Sequence, residues 1–244
     1  MVGFQIETWA AIAPGIEREE DWKHWLTNQQ PLDDSLGKIS LKQIPPLLRR
    51  RFNTLGKCAV SAILKLMKEG ESIPSVFASR HGDTALTLSL LEDMGRDEPM
   101  SPTGFSLAVH NAVSGLYSIA REDTSAVTAI ASMEGLVVHA LLETIGQLQT
   151  TERVLCVIYD VPLPQLYRCY TPSVPFPYAI AMILNSTRGD PYTMEQCLGS
   201  KQDNESLETS DSESLMFLEL LTGLSAEVTM KSNGQDWLIK KTIV

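Results

Sequence analysis

The stretch from Ser101 to Leu148 limits the choice of fold more than any other. It reads as helix, short buried strand, tight turn and long helix in unbroken succession. Ser101 is placed to N-cap a helix whose first position is Pro102, where a missing N–H does no harm and φ is already near the helical value. Leu107, His110, Ala112, Val113, Leu116 and Ile119 recur close to a helical period, which puts His110 and Asn111 in mid-helix. The apolar run Ala126 to Ala131 is small and bounded by polar residues, and it suits a strand buried on both faces. Ser132 follows at once and is placed to cap the next helix, with Glu134 in its first turn, where a carboxylate complements the helix dipole.

A strand that breaks directly into a helix N-terminus suits a nucleophile. Backbone N–H groups converge on the turn, so a thiol there has a lowered pKa and an oxyanion finds donors. Here the last strand positions are Ala129, Ile130 and Ala131, and none of them is a nucleophile.

The run VHNAVSG, then SI, then TSAVTAIAS before a long helix resembles the N-terminal half of β-ketoacyl synthases, the condensing enzymes of fatty-acid and polyketide synthesis. FASRHGDTALTLSLLEDM, SPTGFSLAVHNAVSGLYSIA and LLRRRFNTLGKCAV look more closely like short condensing-enzyme relatives, the chain-length factors of aryl polyene pathways. The likeness runs from about Phe4 to Trp237 with its motifs in order. Where a condensing enzyme carries Thr-Ala-Cys, this chain has Thr128-Ala129-Ile130.

The resemblance implies an α/β fold spanning residues 1–244 as a single thiolase-type half: a β-α-β-α-β-α-β-β layer, its mixed sheet covered by helices on both faces. It also implies that catalytic residues are missing. The family needs a Cys to carry the acyl chain and two histidines in a second half, whereas His24, His81, His110 and His139 all fall within the first. The implied role is a non-catalytic subunit, without cofactor, that forms a heterodimer with a complete β-ketoacyl synthase. Acyl carrier protein would be met only indirectly. On the family's pattern the strand before the nucleophile pairs across the dimer axis, and Phe105, Ala108 and Val109 face the acyl tunnel. Ile130 and Met133 fill the vestigial pocket, and His110, Asn111 and Gly115 lie on the subunit-contact helix. Gly115 is expected to allow close approach of another backbone.

With 244 residues, 43% of them hydrophobic, the chain is large enough to bury a core without staples, and one large domain is expected. A net charge of -10 argues against nucleic acid or an anionic membrane surface as partner. An acidic carrier is repelled by the average surface too, so docking needs a local basic patch or falls to a partner subunit. Arg49, Arg50 and Arg51 form the only dense basic run; they read either as structural ion pairs or as such a docking patch. Cys58 and Cys156 lie in apolar runs and read as buried free thiols, and no ligand spacing suggests structural zinc or another metal. The N-terminal residues resemble neither a signal peptide nor a membrane anchor, so a cytoplasmic location is expected.

The remaining elements follow from pattern. Strands are expected at Phe4–Ala13, Pro74–Ser79, Arg153–Val161 and Pro177–Asn185, the last two antiparallel because no helix separates them. Helices are expected at Glu17–Leu26 (with Trp22 and Trp25 packed beneath it), Leu55–Met67, Thr84–Met94 capped by Asp83, and Ser214–Leu224, with a final strand at Trp237–Ile239. Thr27–Lys42 reads as a polar excursion and the acidic residues from about 199 to 214 as a flexible loop. His81 reads as a turn histidine bonding nearby backbone. An alternative is an independent acyl-transfer enzyme or hydrolase using Ser132 with Glu134, His110 or His139, although Ala-Ser-Met lacks the glycines of a nucleophile elbow.

Overall fold

The computed structural model describes residues 1–33, 35–37, 39–171, 173–197 and 213–242. Along the chain run β1 (Val2–Ile12), α1 (Glu19–Asn28), α2 (Pro46–Arg49), α3 (Thr54–Ile63), β2 (Ser75–Ala78), α4 (Thr84–Gly95), α5 (Pro102–Leu107) and α6 (Ala112–Arg121). Then come β3 (Val127–Ile130), α7 (Leu136–Gln147), β4 (Arg153–Asp160), β5 (Tyr178–Asn185), β6 (Asp190–Cys197), α8 (Glu213–Thr222), β7 (Glu227–Ser232) and β8 (Gln235–Lys241).

The two uninterrupted apolar runs became the middle of the sheet: β5 is buried along its whole length, as is β4 after Arg153, and the two are antiparallel. The strands form one mixed sheet in the order β3-β2-β4-β5-β1-β6-β8-β7. β2 is parallel to both β3 and β4, and the other neighbours are antiparallel. The expected β-α-β-α-β-α-β-β order is met as far as β5, and β6, α8 and the β7–β8 hairpin extend the sheet beyond it.

Two cores fill the two faces. On one, Trp22 of α1, Leu141 of α7 and Phe217 of α8 pack with Ile158, Ile180 and Met182. On the other, Cys58, Val60 and Ile63 of α3 and Tyr117 of α6 pack with Phe77, Val157 and Ile183. Trp25 joins Trp22 edge-on at 5.9 Å and Phe176 at 5.2 Å, so the indole pair is a packing device. Cys58 and Cys156 are buried free thiols, and burial raises both pKa values, that of Cys156 to about 12.

Local chemistry sets the helix starts. The Asn53, Asp83 and Ser101 side chains accept from the Gly56, Leu86 and Gly104 amides to cap α3, α4 and α5.

The structure corrects several expectations. The helix expected to run on from Pro102 breaks between Leu107 and Ala112, because His110 turns inward and its Nε2 lies 2.9 Å from the Ser79 carbonyl. β3 is not buried on both faces: among the described residues it is an edge strand bonded only to β2, with Val127 and Ala129 exposed. Ser132 does not cap α7; Gly135 is the N-cap, at φ 69°, and Glu134 lies outside the helix. The acidic loop falls outside the described residues, except for Glu213 and Ser214, which begin α8.

Candidate functional site

β3 and its flanking helices form the candidate site. β3 is four residues long and closes one end of the sheet, with its outer edge open among the described residues. Large apolar side chains are exposed on β3 and on the segments that precede and follow it in sequence: Phe105 is 62% exposed, Val109 53%, Ile119 61%, Val127 41% and Met133 53%. Exposed large apolar side chains clustered along one segment mark a surface that something else covers.

A concavity lies on either side of the strand. On the α6 side, about 220 Å³ is lined by Asn111, Ser114, Gly115, Ser118, Val127 and Ala129. On the α7 side, about 450 Å³ is lined by Ile130, Ala131, Ser132, His139, Leu142 and Glu143. Among the described residues no backbone approaches Gly115, and a Cβ there would meet nothing within 4 Å. The close approach expected at this glycine is therefore not made by the described chain itself.

The expected site residues do not share one pocket. Ile130 is half-buried against α7, whereas Met133 borders a separate concavity of about 210 Å³ with His81, Leu163, Tyr167 and Tyr170. Phe105 projects from α5 and Ala108 is half-buried. His110 is a satisfied structural group whose ring also packs on Gly82, where an added Cβ would come within 3.3 Å of it. Arg49 donates to the Ile44 carbonyl, and none of Arg49, Arg50 and Arg51 pairs with a described carboxylate, so the ion-pair reading of that run is not met.

Behind β3 lies a buried polar hub that pattern reading missed. At the carboxyl end of β4, Asp160 accepts from the Ser79 hydroxyl at 2.7 Å and the Arg80 amide at 3.1 Å, and burial pushes its carboxyl up to about 6. The Tyr178 hydroxyl lies 2.9 Å from Ser214 Oγ. Glu213, its pKa raised by burial, accepts from the Gly135 amide at 2.8 Å and so takes the place at the α7 N-terminus that was expected for Glu134. The Ser232 side chain packs so closely against Gly135 that a Cβ has no room there. The His81 Nε2 is buried without a hydrogen-bond partner among the described residues, and burial lowers that imidazole to about 4.

Nothing prepares Ser132 as a nucleophile. Its hydroxyl donates to the Glu134 carbonyl at 2.6 Å, while His139 Nε2 lies 3.0 Å from Ser232 Oγ and His110 is held by Ser79. Activation needs an imidazole bonded to the serine, and neither ring is so bonded.

Residues 22–239 match the β-ketoacyl synthase N-terminal domain family. The chain belongs to that family. The complex of the ketosynthase ApeO with its chain length factor ApeC from Xenorhabdus doucetiae contains a similar chain. It superposes with a TM-score of 0.81 at 24% identity, over 98% of this chain and 100% of that one. The ishigamide ketosynthase/chain length factor gives 0.62 at 11% identity over 80% of this chain and 68% of that one. The AntDE:AntF complex of a type II polyketide synthase acyl-carrier protein with its ketosynthase gives 0.67 at 11% identity over 100% of both chains. These likenesses establish the ketosynthase-type α/β fold. No curated protein matches the chain by sequence. Among the described residues no helix of this ketosynthase-family chain is long and apolar enough to cross a membrane.

Proposed function

We propose that this chain is a non-catalytic chain-length-factor subunit. It pairs through β3 with a complete β-ketoacyl synthase and shapes the acyl tunnel at the heterodimer interface, in cytoplasmic aryl polyene synthesis of the type II polyketide or fatty-acid kind. One observation carries the reading: Ile130, where the family has its nucleophilic Cys, sits on an edge strand with no outer neighbour among the described residues. An aliphatic side chain neither carries an acyl group nor takes a proton, so the residue's remaining role is steric. The unpaired edge and the apolar residues around it fit an obligate interface, which buries on the order of 2,000 Å² or more.

On this reading Phe105, Ala108 and Val109 project toward the partner's tunnel, and their bulk sets where chain growth stops. Asn111 and Gly115 let the partner approach α6 closely, while Ile130 and Met133 occupy space that a reacting thioester takes in an active subunit. The region 1–244 acts as one ketosynthase N-terminal-half unit. Arg49, Arg50 and Arg51 are the place where an acidic acyl carrier protein would touch this subunit, if it touches it at all.

The test is co-expression with a complete ketosynthase. The two should co-purify as a heterodimer that extends acyl chains, while this chain alone forms no acyl-enzyme. Covalent acylation of the isolated chain, or labelling of Ser132 by a fluorophosphonate, would contradict the proposal.

A further inference from the structure

From Ser101 to Gln147 the sequence carries four carboxylates, Glu122, Asp123, Glu134 and Glu143, against one permanent cation, Arg121. That cation is already engaged, because its guanidinium donates to the Lys68 and Glu71 carbonyls. Glu122 and Glu134, at the two ends of the β3 segment, are exposed, and Glu143 is half-buried in the groove beside the strand. Glu143 is tied to the middle of β3: Thr128 Oγ1 donates to its Oε1 at 3.1 Å, and Gln147 Nε2 donates to the same oxygen at 2.9 Å. Gln147 Oε1 is buried with no donor among the described residues, so this polar group is short of hydrogen-bond donors.

We infer that the β3–α7 face selects its partner by charge, accepting a ketosynthase subunit that brings Arg or Lys to Glu143 and rejecting a second copy of this chain. The inference rests on the proposed pairing through β3. A copy paired antiparallel about a two-fold axis at Thr128 or at Ala129 keeps both Thr128 side chains on the same sheet face, because opposed residues share a face and neighbours along the strand alternate. Each Glu143 follows its Thr128, so the two carboxylates meet within about a Debye length, about 10 Å at 0.1 M salt. The same operation sets the Glu122 end of one copy against the Glu134 end of the other. Like charges opposed in this way destabilise the self-pair, whereas a cation from a different subunit supplies both the charge and the missing donors.

The experiment measures self-association of the full chain by sedimentation, and its affinity for a co-expressed complete ketosynthase, for wild type and Glu143→Gln at low and high salt. The Gln variant keeps an amide oxygen for Thr128, so the fold is retained. Expected are self-association at least ~10-fold tighter in Glu143→Gln than in wild type, and ketosynthase binding ~10-fold weaker, with high salt moving the wild type in the same two directions. Wild type that self-pairs as tightly as it binds the synthase, or a variant that changes neither affinity, would overturn the inference and leave the proposed function standing. Failure to bind any ketosynthase removes the proposed function, and the self-association arm still reads the charge effect. Should the isolated chain be insoluble, the co-expressed complex carries the test: weakening by high salt and by Glu143→Gln supports selection by charge, and indifference to both overturns it.

Discussion

On β7, at one end of the sheet, Glu227, Thr229 and Lys231 are exposed and alternate with buried Val228, Met230 and Ser232; on β3, at the other end, the exposed positions are Val127 and Ala129. Charged and polar side chains on an open edge, lysine above all, deter pairing with another chain, and short uncharged apolar edges invite it. On the proposed reading β7 is therefore finished as a surface and β3 as a joint. The helices beside them agree, since Ile119 of α6, which lines the concavity next to β3, stands in solvent while α8 near β7 is largely buried.

The hardest blow to this contrast is to give β3 the chemistry of β7. Ala129→Lys should lower affinity for the ketosynthase by at least ~100-fold in a binding titration and leave the chain's own melting temperature nearly unchanged, because the position is exposed. Adding a second lysine to β7 with Thr229→Lys should change neither quantity. Equal losses from both substitutions would erase the distinction.

Next in size is the scaffold behind the joint. β2 is the sole sheet neighbour of β3 among the described residues, and its end is bonded to Asp160, whose carboxyl burial raises from 3.8 to about 6. A raised acid binds its proton more tightly in the folded chain. Its contribution to stability is full below about pH 4 and is lost as pH rises through about 6, an effect of about 3 kcal/mol at most. Denaturant titrations of wild type should show this decline, and Asp160→Asn should remove that part of the slope. An unchanged slope would mean that Asp160 ionises freely.

A smaller effect separates stability from pairing. Gly115 lies in α6 with nothing near its Cβ position, so Gly115→Ala should stabilise the free chain by about 0.5–1 kcal/mol through helix propensity. The added methyl should weaken the complex several-fold. A variant that tightens both would place the partner elsewhere.

How far the sequence foretold these features depends on the range of the forces involved. β2, β4, β5, α3 and α4 were legible because an apolar run, a helical period or a capping Asn or Asp speaks for itself within a few residues. Asn233-Gly234, both at positive φ, was a hairpin signal for β7 and β8 that could have been read and was not. β3 misled because a small apolar run looks the same whether or not a second strand of the same chain lies beside it. The break at His110 depends on the Ser79 carbonyl, 31 residues away, and the cap of α7 depends on Glu213, 78 residues from Gly135. The Asp160–Ser79 contact spans 81 residues. Contacts of that reach leave no local pattern.

The smallest effect on the chain, and the most specific for function, concerns the residues proposed to face the tunnel. Phe105→Ala and Val109→Ala should each change stability by no more than about 0.5 kcal/mol, since both side chains are largely exposed. Their complexes should still condense but release longer products by mass spectrometry. Loss of all condensation with no change in length would count against a steric role.

Hydrogen exchange at Val127–Ile130, with and without a complete ketosynthase, addresses the joint itself. The outward-facing amides of β3 should exchange quickly in the free chain and become at least ~100-fold more protected in the complex, while Glu227–Ser232 stays as it was. Unchanged exchange at β3, or new protection confined to β7, would contradict the account.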